Sequence, residues 1–147
     1  MATYVGINDW LENMVENADL QSDQFVVALS NTAPGSETGT LPTADGGGVL
    51  ANVTQITYSG LTASMRNLTT ASSAQTGGTY AIDFNNLTLT CATTSVGPFR
   101  YVYIYDDTVT TPADPLVCYF DYGSSITLAD TETLTITFDA AGLFTIS

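Results

Sequence analysis

Phe99-Arg100-Tyr101-Val102-Tyr103-Ile104-Tyr105 is the stretch that decides the fold class. Successive side chains of an extended chain point to opposite faces, so Phe99, Tyr101, Tyr103 and Tyr105 form one aromatic stripe while Val102 and Ile104 face the other way. Apolar residues on both sides predict a central strand, buried on one face and covered or contacted on the other. Val96-Gly97-Pro98 punctuates the chain before it, and Asp106-Asp107-Thr108 breaks it.

Working outward, the same alternation recurs in shorter pieces. Downstream, residues 116–122 read as a strand, Ser125-Ile126-Thr127-Leu128 as a short separate edge, and Ala129-Asp130 as a turn. Residues 133–138 alternate threonine with Leu134, Ile136 and Phe138, which predicts a threonine face toward solvent or a partner. Residues 142–146 close the chain as a hairpin partner. Upstream, Tyr80, Ile82 and Phe84 share a face, Asn85-Asn86 supplies a turn or bulge, and Leu87, Leu89 and Cys91 resume the pattern. Gln75-Thr76-Gly77-Gly78 reads as a turn after a weak stretch at 65–69, residues 49–58 read as extended, and residues 24–30 as a buried strand. Seven to nine short strands behind one helix predict a mainly β protein, a β-sandwich of jelly-roll or Ig-like type, forming one domain over 1–147.

The helix is expected over about residues 8–18, where apolar positions 10, 11, 14, 15 and 18 fall on one face and Glu12, Asn13, Glu16 and Asn17 on the other. Asn8 or Asp9 is placed to cap it. Trp10 and Met14 are candidate contacts, to the body of the domain in preference to a sister subunit. Residues 31–48 show no periodicity and are rich in proline and glycine, with Pro34, Leu41 and Pro42 among them. Loops of this length inside compact domains are usually functional, so an interface arm is expected here. The triple glycine at 46–48 is no phosphate loop, because the Gly-Lys-Ser/Thr ending is missing and the chain contains no lysine.

Charge excludes several classes of partner. Fifteen acidic residues stand against two arginines, without histidine, for a formal net charge of −13. Nucleic-acid binding requires cations that replace condensed counterions, and Arg66 and Arg100 cannot form a basic patch between them. Attachment to an anionic membrane fails for the same reason. No stretch approaches the roughly 20 apolar residues of a membrane span, and the first residues lack the basic region and apolar run of a secretory signal. The chain is therefore expected to assemble in the cytoplasm of the cell that makes it, as a soluble subunit.

Reactive chemistry is sparse. Without His or Lys the commonest general bases and Schiff-base nucleophiles are missing. A glycosidase needs only two carboxylates, but no pair among fifteen stands out. No enzymatic activity, cofactor or metal is expected. Calcium sets drawn from Asp106, Asp107 and Asp114, or from Asp121, Asp130 and Glu132, do not match a spaced EF-hand loop, and solvated turn residues are the preferred reading. Cys91 and Cys118 alternate with apolar neighbours and read as small inward hydrophobes in preference to a disulfide. Asn52, Asn67 and Asn86 head Asn-x-Thr triplets that a threonine-rich chain yields by chance. The tyrosine stripe could stack against sugar rings, but its mid-strand position favours a core or a subunit interface, with Tyr101 and Tyr103 the interface candidates.

Several stretches, taken as a set, resemble small virion proteins of tailed bacteriophages. They are Asp9-Trp10-Leu11, Val27-Ala28-Leu29-Ser30-Asn31-Thr32-Ala33-Pro34, Gly77-Gly78-Thr79-Tyr80, Val96-Gly97-Pro98-Phe99-Arg100-Tyr101, and the run from Asp121-Tyr122-Gly123-Ser124 to Asp130. The last two are the most specific, and residues 35–75 are the least alike. The resemblance implies a many-copy structural subunit, a decoration or cement protein on the outer surface of the major capsid protein shell. It carries no catalytic residues with it. A homo-oligomer is expected, a trimer being one candidate, and the alternative is a tail or fibre component that contacts host glycans or joins tail parts.

Overall fold

The structure is a computed structural model that describes residues 2–35 and 47–147. In chain order the elements are β1 (Thr3–Gly6), α1 (Trp10–Glu16), β2 (Phe25–Ser30), β3 (Thr70–Thr76), β4 (Thr79–Phe84), β5 (Leu87–Thr90), β6 (Val96–Asp106), β7 (Leu116–Leu128), β8 (Thr133–Ile136) and β9 (Phe144–Ile146). They form antiparallel sheets of order β1-β7-β6-β2, β3-β4-β9 and β5-β8. The chain is mainly β, a sandwich-like arrangement with one short helix near its start.

The expected centre is the observed one. β6 lies between β2 and β7, and from Tyr101 to Asp106 every residue is buried. β2 is buried along its whole length, as its unbroken apolar run requires. Residues from all three sheets and from α1 join a single core. A chain of ring contacts runs through it: Trp10 edge-on to Phe25 at 6.1 Å, Phe25 tilted against Phe84 at 5.3 Å, and Phe84 edge-on to Phe138 at 5.6 Å. Such contacts add about 0.5–1.5 kcal/mol each beyond the area they bury. They connect the helix and the four- and three-stranded sheets to the segment that follows β8.

Several expectations need correction. α1 is shorter than residues 8–18, and its buried stripe is Trp10 and Asn13 with Met14 half-buried; Leu11 is 65% exposed and Val15 81%. A helix buries positions three and four apart, and choosing Trp10 as the anchor turns positions 11 and 15 outward. Asn13 pays its way inside by donating to the Asp9 carbonyl at 3.1 Å. Asp9 makes no side-chain cap; its carboxylate accepts from the Gly48 amide at 2.8 Å and ties the chain there to the helix start.

Residues 49–58 are not a strand. They contain a 3-10 turn (Leu50–Asn52) and make only single bridges, Val49 with Pro115 and Gln55 with Ser30. β3 was hidden because Thr70–Thr76 is polar and largely exposed; its extended form comes from pairing with β4. The two-residue turn between them needs positive φ at both positions, which Gly77 (61°) and Gly78 (91°) supply. Val96-Gly97-Pro98 lies inside β6, and residues 116–128 form one strand where two were expected. Both are accommodated by irregular register, since Phe99 opposes Ile126 while Tyr101 opposes Asp121, leaving residues 122–125 as an outward bulge of β7. Cys91 and Cys118 are buried free thiols, and Thr133, Thr135 and Thr137 are exposed as read.

Arg66 is the unexpected core residue. It is 9% exposed, donates to the Val27 carbonyl at 2.7 Å, and lays its guanidinium 4.0 Å from the centre of the Tyr58 ring. The Tyr58 hydroxyl in turn accepts from the Leu29 amide at 2.9 Å. Arg66→Ala leaves a buried carbonyl without its donor and strips the ring contact. It should lower stability by about 2–3 kcal/mol in denaturant melts. Arg66→Lys should recover only part of this, because an ammonium cannot reproduce the planar stacking.

Candidate interaction surface

The two cations of the chain are both used internally. Arg66 is enclosed as described. Arg100 grips Asp121 through two parallel bonds of 2.7 and 2.8 Å, at the foot of the β7 bulge. The Arg100 bonds and the Gly123 amide hold the Asp121 carboxyl down to about 2. Asp121 also accepts from the Gly123 amide at 2.8 Å, so one carboxylate closes both the ion pair and the bulge. What remains to face outward is carboxylate.

The proposed calcium sets do not converge. Asp130 accepts from the Thr93 amide at 2.8 Å and Glu132 from the Ala129 amide at 2.7 Å, both acting as turn locks. Asp106 is wholly buried and accepts from the Thr108 amide at 2.9 Å. Its other oxygen, Oδ2, is buried without a hydrogen-bond partner. Burial first, and the neighbouring Asp23 second, push this carboxyl up to about 6. Among the described residues no group of three or more metal-type ligands is assembled.

Of the large apolar residues exposed among the described residues, Tyr4, Leu11, Tyr122 and Ile146 gather, while Val15 and Met65 do not line the same grooves. Tyr4, Leu11 and Ile146 lie along one groove between β1, α1 and β9, floored by Trp10, Val117 and Phe144. Through Tyr4 this groove runs into a second, lined by Phe120, Phe138 and Leu143. Through Phe120 it reaches a third, where Tyr122 stands beside Leu134 and Ile136 of β8. Tyr4 packs edge-on against Phe120 at 5.5 Å and holds the middle of the band. The band therefore extends from the helix, across β1, to the far edge of β8. Adjoining apolar grooves of this kind suit an interaction face.

The sequence-derived interface candidates fall on this surface only in part. Trp10 forms the floor of the first groove from a buried position, and Met14 lines its side. Tyr101 and Tyr103 are packed into the chain's own core, 7% and 0% exposed. Tyr103 meets Tyr119 at 5.4 Å. Pro34 is half-buried away from the band's lining residues. Leu41 and Pro42, with most of the expected arm, lie outside the described residues. The residues missed were Tyr4, Leu11, Tyr122 and Ile146. Periodicity finds apolar positions but assigns them to the core by default, and only the placement of the helix and the edge strands reveals which are left out.

Compared with protein-family models, with curated proteins and with solved structures, the chain matches none. No helix among the described residues is long and apolar enough to cross a membrane.

The carboxyls with the largest shifts, Asp106 and Asp121, predict an acid optimum of stability. Asp106, raised in the folded state, weakens the fold while ionised, so stability should rise as pH falls through about 6. Asp121, lowered in the folded state, contributes above its unfolded value, and that contribution is lost as pH falls toward about 2. Thermal melts across pH should therefore peak at about pH 4–5. In Asp106→Asn the melting temperature at about pH 7 should be higher and the rise on acidification smaller; an unchanged profile would show that general charge repulsion alone governs it.

Proposed function

We propose that this protein is a non-enzymatic structural subunit of a bacteriophage particle, a decoration or cement protein that binds the outer surface of the major capsid shell and stabilises it. One observation carries the reading: an apolar band open on a strongly acidic surface, where Arg66 is buried and Arg100 is already paired with Asp121. A subunit of this kind is kept away from packaged nucleic acid by its charge, yet has an adhesive face for a partner of different chemistry. The resemblance of residues 96–101 and 121–130 to small phage virion proteins supports the same assignment. So does the low content of long charged side chains, which limits the entropy lost when an extended surface is immobilised. The alternative, a tail or fibre component that contacts host glycans or joins tail parts, calls for an exposed aromatic or carboxylate-lined pocket at a sandwich end, and the tyrosines Tyr101 and Tyr103, enclosed in the core, do not supply one.

Cryo-electron microscopy of purified particles of the source phage tests the assignment. Density for this chain is expected on the outer shell at every equivalent lattice position, in hundreds of copies per particle. Density confined to the tail or to the portal vertex, in a few dozen copies, would replace it with the tail reading.

A further inference from the structure

We propose that the open edge of β1, with the groove between it and β9, receives an extended segment of a partner protein, one that alternates apolar residues with lysine or arginine. The inference concerns how a partner is held and does not depend on where in a particle the protein sits.

The backbone geometry comes first. Gly6 lies opposite Cys118, and the Ile7 amide donates to the Val117 carbonyl at 3.1 Å. Hydrogen-bonded and non-bonded pairs alternate along an antiparallel ladder, so Thr3 and Val5 bond inward to β7 while the amides and carbonyls of Tyr4 and Gly6 point away from it. β1 ends its sheet, and β9 ends the three-stranded one. Both strands line the same groove.

The two edges of the four-stranded sheet are treated differently. On the β2 side, Asn67 bridges Val26 and Gln55 bridges Ser30, closing the edge with the chain's own backbone. On the β1 side no such bridge is made among the described residues. Proteins blunt exposed edges with charges, proline, bulges or very short strands, and of these β1 has only its four-residue length. Thr3-Tyr4-Val5-Gly6 contains no charge and no proline, and pairs in continuous register. A short edge free of charge and proline beside an apolar groove suits strand addition, where backbone bonds supply affinity and alternate side chains fill pockets.

Charge selects the occupant. A second copy of this chain carries the same −13; its Arg66 is buried and its partly exposed Arg100 is already paired with Asp121, so it offers little to complement this acidic surface. Glu12 stands beside Leu11 on the exposed part of α1, and Asp139 lines the groove that continues past Tyr4. A segment with apolar residues facing the groove and cations on its other face meets both features.

The test titrates the full chain with the heptapeptide Lys-Ile-Lys-Val-Lys-Ile-Lys and, as control, the version with glutamate for each lysine. Amide exchange is followed by NMR. The cationic peptide is expected to bind and to slow exchange at Tyr4 and Gly6, with the control not binding. Leu11→Glu and Ile146→Glu change exposed side chains, so the fold is retained, and both add negative charge. Strand docking predicts about tenfold weaker binding in each, because an apolar contact is lost. Purely electrostatic attraction predicts equal or tighter binding. Tighter binding in the variants, protection at other amides, equal binding of the control, or no binding would each overturn the inference.

Discussion

Strand β6 has to be covered on both faces, and that requirement shapes most of the molecule. Tyr103 and Ile104, adjacent in sequence and opposite in direction, are both fully enclosed. The tyrosine side is met within its own sheet by Tyr119 of β7, opposite Tyr103 in the ladder. On the other side Val102 shares its surroundings with Phe120 and with Leu134 and Ile136 of β8, which is how the two-stranded sheet is drawn over the four-stranded one. β2 then has to be apolar throughout because it flanks a strand that is itself buried. Once these layers close, the short outer strands need only one apolar face each, and they show it.

The second constraint is electrostatic. With two cations and fifteen acids, each arginine is placed where one charge does several things at once. Arg100 fixes Asp121, which in turn fixes the backbone of the β7 bulge, and Arg66 joins the 3-10 turn at Ser64–Arg66 to β2 through the Val27 carbonyl. Arg100 neutralises only Asp121 at the surface, and Arg66 is enclosed. Net repulsion of this size weakens a compact state and discourages association of copies. A buried carboxyl at Asp106 adds to the internal cost while ionised, since desolvation disfavours its charge and Asp23 opposes it.

How far the sequence could be read follows from which forces act locally. The β6 stripe, the buried β2 run and the alternations in β4, β5 and β8 were legible because burial of one or both faces writes directly into residue order. β3 was not, because its polar residues gain their conformation from the neighbouring strand and the Gly77-Gly78 turn. The helix was found but its face was misjudged. Five apolar residues competed for a stripe that seven helical residues could not fully bury, and Trp10, the largest, set the rotation. The same limit explains the interface. Tyr101 and Tyr103 looked available because mid-strand aromatics on a sheet have no sequence mark that separates a covered face from an open one. Tyr4 sits in a four-residue edge strand whose status depends on a partner over a hundred residues away.

The open edge and the missing cations are better understood together than apart. An apolar groove beside a strand edge free of charge and proline is ordinarily a hazard, since identical copies can add edge to edge without limit. Local defences such as an edge lysine or proline would remove the hazard, and with it the capacity to pair. Here the protection is carried by the whole surface, because every copy presents the same excess of carboxylate to every other copy. Such repulsion is indifferent to backbone geometry, so it leaves the edge chemically intact for a partner of opposite charge. The short β1 strand limits the ladder to a few bonds, which keeps pairing without that charge weak. Selectivity then resides in the sign of the surroundings and adhesion in the groove, and neither would suffice without the other.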